Sequence, residues 1–313
     1  MSPRRYAIIG TGALGGFYGC RLAAGGVEVH FLLHRDYEHV RRHGLLLESR
    51  DGDVRLPRPN AYARAVDMPP CDVALLAVKA TANDRLAELL GPVMAGGGDV
   101  LVCQNGLGAE EIVAGVVGPE RVMAALCFLC SHKVGPGHIR HLDYGYVTLA
   151  DYDPAGRARG VTERMRAVAA DFERAGVGVE LAGDLVEARW KKLVWNVPFN
   201  ALTALLEADT GELMADPRAA ALAEAVMREI AAGAAALGKT IDEAFIQRML
   251  DQTRKMIPYR PSMALDRRAG RAMEIEAILG NPLRAAAAAG CAMPRVEALY
   301  RQLGFLAARP AGR

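Results

Sequence analysis

Through the first half of the chain, short apolar runs bounded by glycine, proline and aspartate alternate with stretches patterned as helix. Residues 6–9 read as a strand, followed by a glycine turn and a helix that passes through Arg21-Leu22-Ala23-Ala24. Further strands are expected over 27–33, 72–78, 99–103 and 122–130, with a helix over 86–90. Runs that are apolar on both faces and separated by helices predict a parallel sheet covered on both sides. Residues 139–149 read as a hairpin appended to that sheet. The texture changes near Gly183-Asp184, where β-branched runs give way to Ala, Leu, Met, Glu and Arg. Helices are expected over 184–207, 217–237, 241–255, 264–289 and 294–308. The pattern therefore divides the chain into a doubly wound α/β domain, 1–183, and an all-α domain, 184–313.

Composition sharpens this picture by exclusion. A length of 313 residues suits two domains, and 51% apolar residues supply their cores. The net charge of +2, without a dense basic block, gives no reason to expect nucleic acid or a membrane surface as partner. Glycines at 10, 12, 15 and 16 interrupt the first apolar segment, which makes it a poor export signal. No uncharged run has the roughly 18 residues that span a bilayer. The expected location is the cytoplasm, and the six cysteines are expected to be reduced thiols. Cys127 and Cys130 form a C-x-x-C inside an apolar strand, with no second pair to complete a zinc set, so no metal site is expected. An Ala- and Leu-rich helical domain can offer a homodimer face, although such patches are also ordinary core.

The segment Gly10-Thr11-Gly12-Ala13-Leu14-Gly15 fits G-x-G-x-x-G between a strand and a helix, with a second strand beyond. In a dinucleotide-binding turn, Gly10 would allow the tight bend. Gly12 would let the backbone approach a pyrophosphate, and Gly15 would let helix and strand pack closely. The second strand ends Leu33-His34-Arg35-Asp36. Arg35, with His34 beside it, suits the 2′-phosphate of NADP(H). Asp36 is the counter-argument, since it could reach a ribose hydroxyl as in NAD sites or cap the next helix.

Chemistry also appears in the helical half. Lys192, Asn196 and Asn200 recur at i, i+4 and i+8 and so share one helix face among large apolar residues. Buried amine and amide groups are costly unless they bind something. A solvated stripe or a polar contact between domains is the alternative, and Pro198 is expected to kink the helix near Asn200.

Together these segments resemble the ketopantoate reductase (2-dehydropantoate 2-reductase) family. The likeness runs through the glycine turn, Val78-Lys79-Ala80, Gln104-Asn105-Gly106, Trp190-Lys191-Lys192-Leu193 with Asn196 and Asn200, and Pro261-Ser262-Met263 with Asp266 and Glu274. It implies an N-terminal Rossmann-type domain and a C-terminal all-α domain like that of 6-phosphogluconate dehydrogenase. It implies NADPH-dependent reduction of 2-dehydropantoate to pantoate, a step in pantothenate and coenzyme A synthesis. By this resemblance Lys192 is the general acid and Glu274 the acid that supports it. Asn105, Asn196, Asn200 and Ser262 bind substrate. Gly10, Thr11, Gly12, Ala13, Leu14, Gly15, His34, Arg35, Lys79, Asn105 and Glu274 face the cofactor. Lys191 falls where the family varies and is expected to be solvated. Many members of the family act on other substrates, so a reductase of another 2-keto acid or an imine is the alternative, and a non-catalytic NADP-binding sensor is a third. The His-rich segment 127–141 reads either as a specialised substrate wall or as a loop and hairpin.

Overall fold

The computed structural model describes residues 4–309. These fall into two compact units, each with its own core. The first runs to Gln104 and resumes from Ala109 to Leu185; the second joins Asn105–Gly108 to the chain from Val186 onward.

The first unit opens with β1 (Arg5–Ile9), α1 (Ala13–Ala24) and β2 (Glu28–Leu32), the strand–turn–helix–strand expected around the glycines. Next come α2 (Tyr37–His43), β3 (Leu45–Ser49), β4 (Val54–Leu56) and β5 (Asn60–Tyr62). The series β6 (Val73–Leu76), α3 (Leu86–Leu90), β7 (Asp99–Val102) and α4 (Ala109–Val117) follows. It ends with β8 (Val122–Gly135), β9 (His138–Asp151), α5 (Glu163–Arg174) and β10 (Val179–Leu181). Among the described residues these strands form one sheet in the order β4-β3-β9-β8-β7-β6-β1-β2-β5, with β10 also on β9. The stretch from β8 to β5 is parallel. Tyr6 and Ile8 face one core and Ala7 and Ile9 the other, so the β1 alternation places helices on both faces.

The sheet is mixed rather than wholly parallel, because β8 and β9 pair antiparallel along most of their length. The expected hairpin over 139–149 is in fact a single strand, β9, whose partner is β8. The turn between them lies at Pro136-Gly137, where Gly137 adopts φ 63°. Irregularities within the β8–β9 pairing, with Tyr144 at φ 60° and Gly145 at φ 123°, bulge the strand without reversing it, and the chain turns instead at Gly135-Pro136-Gly137. The segment 127–141 is thus strand, turn and strand.

The second unit contains α6 (Leu185–Leu206), α7 (Thr210–Ala215), α8 (Pro217–Ala236), α9 (Glu243–Lys255), α10 (Ser262–Arg268), α11 (Asn281–Ala288) and α12 (Pro294–Ala307). Helix α6 lies at its centre, with Trp190, Leu193, Val197 and Phe199 fully or almost fully buried. It runs through Pro198, whose missing N–H removes one helical hydrogen bond without ending the helix. Acidic caps start its neighbours. Asp209 and Glu212 form a reciprocal box at α7, Asp216 accepts from two N–H groups at α8, and Asp242 caps α9.

The long helix expected over 264–289 is interrupted. Helix α10 ends at Arg268, Gly270 takes φ 61°, and the Arg271 N–H turns back to the Asp266 carbonyl at 2.8 Å. The chain restarts as a π-helical turn, Glu276–Gly280, before α11. A single Gly270 within a helix-rich composition is too weak a signal to announce this break.

Candidate functional site

The glycine turn between β1 and α1 has the shape its spacing predicts. Gly10 sits at φ 99°, and a Cβ there would lie 2.8 Å from both the backbone nitrogen and Cγ1 of Val78. At Gly15 a Cβ would strike the Gly10 carbonyl oxygen and come within 2.9 Å of Ile8 Cγ2. Gly12 is the reverse case, since a Cβ there would meet nothing within 4 Å. Gly10 and Gly15 are therefore required by the protein's own packing, whereas Gly12 borders open space. That is where a dinucleotide needs a bare backbone, and the turn fits such a ligand. Gly12 is also the N-cap of α1, with no side-chain cap and no acid in the first helical turn, so nothing competes there for an anion. Thr11 secures the bend by donating to the Leu32 carbonyl through its N–H at 3.3 Å and its hydroxyl at 2.9 Å.

Beyond β2, His34 and Arg35 are exposed and Asp36 is buried. The Asp36 carboxylate pairs with Lys133 Nζ at 2.5 Å and accepts from the Gly137 N–H at 3.0 Å. Its side chain makes no cap bond although it holds the N-cap position of α2. Burial alone would raise its pKa, but these hydrogen bonds and the Lys133 charge hold it below the ordinary carboxylate value. Lys133 also donates to the Thr11 carbonyl at 3.1 Å, and Ser131, two residues earlier on β8, donates to the Ala13 carbonyl at 3.2 Å. Sequence reasoning missed both residues. Their i, i+2 spacing on a strand was the available signal, but which strand β8 would border was not.

Lys79 is half-buried three residues past β6. Gln104, just past β7, donates to the Val78 carbonyl at 3.0 Å and to Asn83 Oδ1 at 2.7 Å, tying neighbouring strand ends together.

In the second unit, Lys192, Asn196 and Asn200 are all buried on α6, so the solvated-stripe alternative does not hold. Asn200 Nδ2 donates to the Asn196 carbonyl at 2.9 Å, and its Oδ1 accepts from the Met263 N–H at 3.3 Å and the Ser262 hydroxyl at 3.5 Å. Asn196 Nδ2 donates to Asn105 Oδ1 at 3.5 Å. Four positions predicted from separate parts of the sequence, 105, 196, 200 and 262, are thus linked by hydrogen bonds within one unit. Asn105 arrives there because the segment after β7 packs with the helices. The Leu107 N–H donates to the Ala277 carbonyl at 2.9 Å and Asn281 Nδ2 donates to the Leu107 carbonyl at 2.7 Å. Gly106 is needed for this approach, since a Cβ would collide with the Ala277 carbonyl. Asn281 was another residue the sequence did not single out.

Glu274 is buried just before the π-helical turn that leads into α11, and the Ile278 N–H donates to its carbonyl at 3.1 Å. Ser262 opens α10, with Pro261 in the N-cap position. Asp266 is buried and accepts from Arg271 Nε at 3.0 Å, which anchors the break after α10. Lys191 pairs with Glu187 one turn away at the half-exposed edge of α6. An ammonium, two amides and a hydroxyl on adjoining helical positions form a donor-rich, largely water-excluded surface suited to a small oxyacid.

Comparison with known proteins adds to this geometry. Residues 6–154 match the family model "Ketopantoate reductase PanE/ApbA", and 184–307 match its C-terminal counterpart. A 2-dehydropantoate 2-reductase of Nostoc sp. is 50% identical over 309 residues, covering 99% of this chain and 97% of its own. The crystal structure of 2-dehydropantoate 2-reductase from Geobacter metallireducens superposes with a TM-score of 0.92 at 42% identity, covering 96% of this chain and 99% of the other. That from Methylococcus capsulatus gives 0.86 at 34% identity, covering 99% and 98%. With a glycine turn that fits a dinucleotide, a buried lysine–amide surface and likeness along nearly its whole length, this chain belongs to the ketopantoate reductase PanE/ApbA family.

Proposed function

We propose that this chain reduces 2-dehydropantoate to pantoate with NADPH, in the cytoplasm, as a step of pantothenate and coenzyme A synthesis. The observation that carries the reading is the buried Lys192–Asn196–Asn200 face, hydrogen-bonded on to Asn105 and Ser262, in a member of this family. The dinucleotide, when bound, supplies the hydride. The turn Gly10-Thr11-Gly12-Ala13-Leu14-Gly15 would hold its pyrophosphate, and His34 and Arg35 its 2′-phosphate. Lys79, Asn105 and Glu274 complete the cofactor contacts.

Lys192 acts on the substrate carbonyl. As the carbon is reduced, negative charge builds on its oxygen, and the ammonium stabilises that charge and gives it a proton. General acid assistance contributes about 10²–10⁴-fold and electrostatic stabilisation by one donor about 10²–10³-fold. The amine left behind regains its proton from solvent. Glu274 favours the charged form of Lys192, against the burial that favours the neutral one. Asn196, Asn200 and Ser262 orient the carboxylate and hydroxyl of the substrate as neutral donors, so substrate binding adds no competing charge.

A spectrophotometric assay tests the reading. Purified protein is expected to oxidise NADPH on addition of 2-dehydropantoate, and NADH far more slowly. Oxidation with other 2-keto acids but not with 2-dehydropantoate would overturn the substrate and leave the reaction class. Tight NADPH binding without turnover on any 2-keto acid would point to a sensor instead.

A further inference from the structure

The β8–β9 hairpin makes side-chain contacts with the glycine turn that have no role in the hydride chemistry. Ser131 and Lys133 reach from β8 to two backbone carbonyls of the turn, Ala13 and Thr11, at 3.2 and 3.1 Å. Lys133 simultaneously pairs at 2.5 Å with the carboxylate of Asp36, whose side chain is only 9% exposed, against 31% for the lysine. The hairpin turn contributes once more, through the Gly137 N–H on the same Asp36 oxygen. One oxygen of Asp36 therefore receives two donors, and the acid lies immediately after the exposed His34-Arg35 pair.

An acidic side chain just past the second strand is the group that NAD sites use to accept a hydrogen bond from the ribose 2′-hydroxyl. The same carboxylate, if free, would repel a 2′-phosphate. Discrimination between close ligands commonly depends on such repulsive elements as well as on attractive ones. Here the acid is present, but it is buried, its charge is matched by an ammonium and one of its two oxygens takes both donors.

Resting on the NADPH-dependent reading above, we propose that Lys133 is a specificity-determining residue for the cofactor. It withdraws Asp36 from ribose recognition, so that His34 and Arg35 face a 2′-phosphate without an opposing charge. It is a positioning residue, acting through Asp36 and the Thr11 carbonyl. The lowered pKa of Asp36 agrees with that pairing, because burial pushes the acid up and the Lys133 hydrogen bond and charge are among the contacts that hold it down.

The test is calorimetric binding of NADPH and NADH to the full chain, without substrate, for the wild type, Lys133→Met, Lys133→Arg and the double variant Lys133→Met/Asp36→Asn. Lys133→Met is expected to lower the ratio of NADPH to NADH affinity by about tenfold or more, the scale of one charge-assisted hydrogen bond. Lys133→Arg should stay near the wild-type ratio. The double variant should recover it, because the liberated carboxylate is what changes the preference. Parallel weakening of both dinucleotides in Lys133→Met, or a ratio unchanged within about twofold, would reduce Lys133 to a structural strap and overturn the proposal. Failure of Asp36→Asn to restore the ratio would also overturn it. A wild type that binds neither dinucleotide would instead remove the functional reading itself, and this inference with it.

Discussion

On the proposed function, recognition at the glycine turn of the first unit rests on the backbone, whereas on α6 of the second it rests on side chains. The turn from Gly10 to Gly15 offers N–H groups and bare Cα positions, and the side chains that touch it, Thr11, Ser131 and Lys133, bond backbone carbonyls and hold the bend in place. On α6 the presenting atoms are an ammonium and carboxamides, held by neighbours on α10 and on the segment 105–108. The difference teaches where each region is vulnerable. A backbone site is damaged by adding atoms, because each added Cβ meets either the protein or the ligand. A side-chain site is damaged by removing them, because the fold tolerates the loss but the chemistry does not.

The largest expected effect breaks the side-chain half alone. Lys192→Ala should lower kcat by about 10²–10⁴-fold while leaving NADPH affinity within about twofold, as measured by steady-state kinetics alongside calorimetry. A variant with near wild-type kcat would remove Lys192 from the chemistry.

A pair of glycine substitutions sharpens the comparison at intermediate size. Gly15→Ala forces a Cβ onto the Gly10 carbonyl and should cost roughly 1–3 kcal/mol of stability in chemical denaturation. Gly12→Ala has open space around its Cβ and should keep stability within about 0.5 kcal/mol, yet weaken dinucleotide binding about tenfold or more. Equal stability losses in both would mean that Gly12, like Gly15, is required by packing alone.

The smallest effect concerns the hairpin side of the first unit. His141 is buried against Phe17, with ring centroids 4.6 Å apart. Its Nδ1 meets the Ser49 hydroxyl at 2.8 Å, and its Nε2 faces the carbonyls of Asp143 and Tyr144. Burial lowers its pKa below the usual 6.5, against the opposing pull of those carbonyls and Asp51, while Arg21 adds to the lowering. The folded state therefore prefers the neutral ring and the unfolded chain binds the proton more readily. Stability from this group is present above the unfolded value and is lost as pH falls through it toward the folded value. Between about pH 7 and pH 5, His141→Gln should show a flatter decline in denaturation midpoint than the wild type. Parallel slopes would assign the acid sensitivity elsewhere.

Much of this was legible in the order of residues. The glycine turn is a local device, complete within one strand–turn–helix, so its spacing sufficed. The face shared by Lys192, Asn196 and Asn200 follows from helical periodicity alone, and burial came as expected from the apolar residues around it. The family resemblance further linked positions as distant as 105 and 262. Short strands such as β3, β4, β5 and β10 were not legible, since runs of three to five residues become strands only when a neighbour pairs with them. The break after α10 also escaped notice, because it depends on Arg271 reaching back to a buried Asp266.

The sequence by itself determined which groups this protein carries and how each is presented locally: a bare turn before a helix, and an amine with two amides on one helical face. Tertiary structure alone decided what those groups meet. It placed Asn105 and Ser262 on the α6 amides, and it turned Asp36 from a candidate ribose ligand into the partner of Lys133. Local periodicity is set by bonds along the chain, which a sequence records directly. A charge is answered across space, and its partner lies wherever strand order and register bring it.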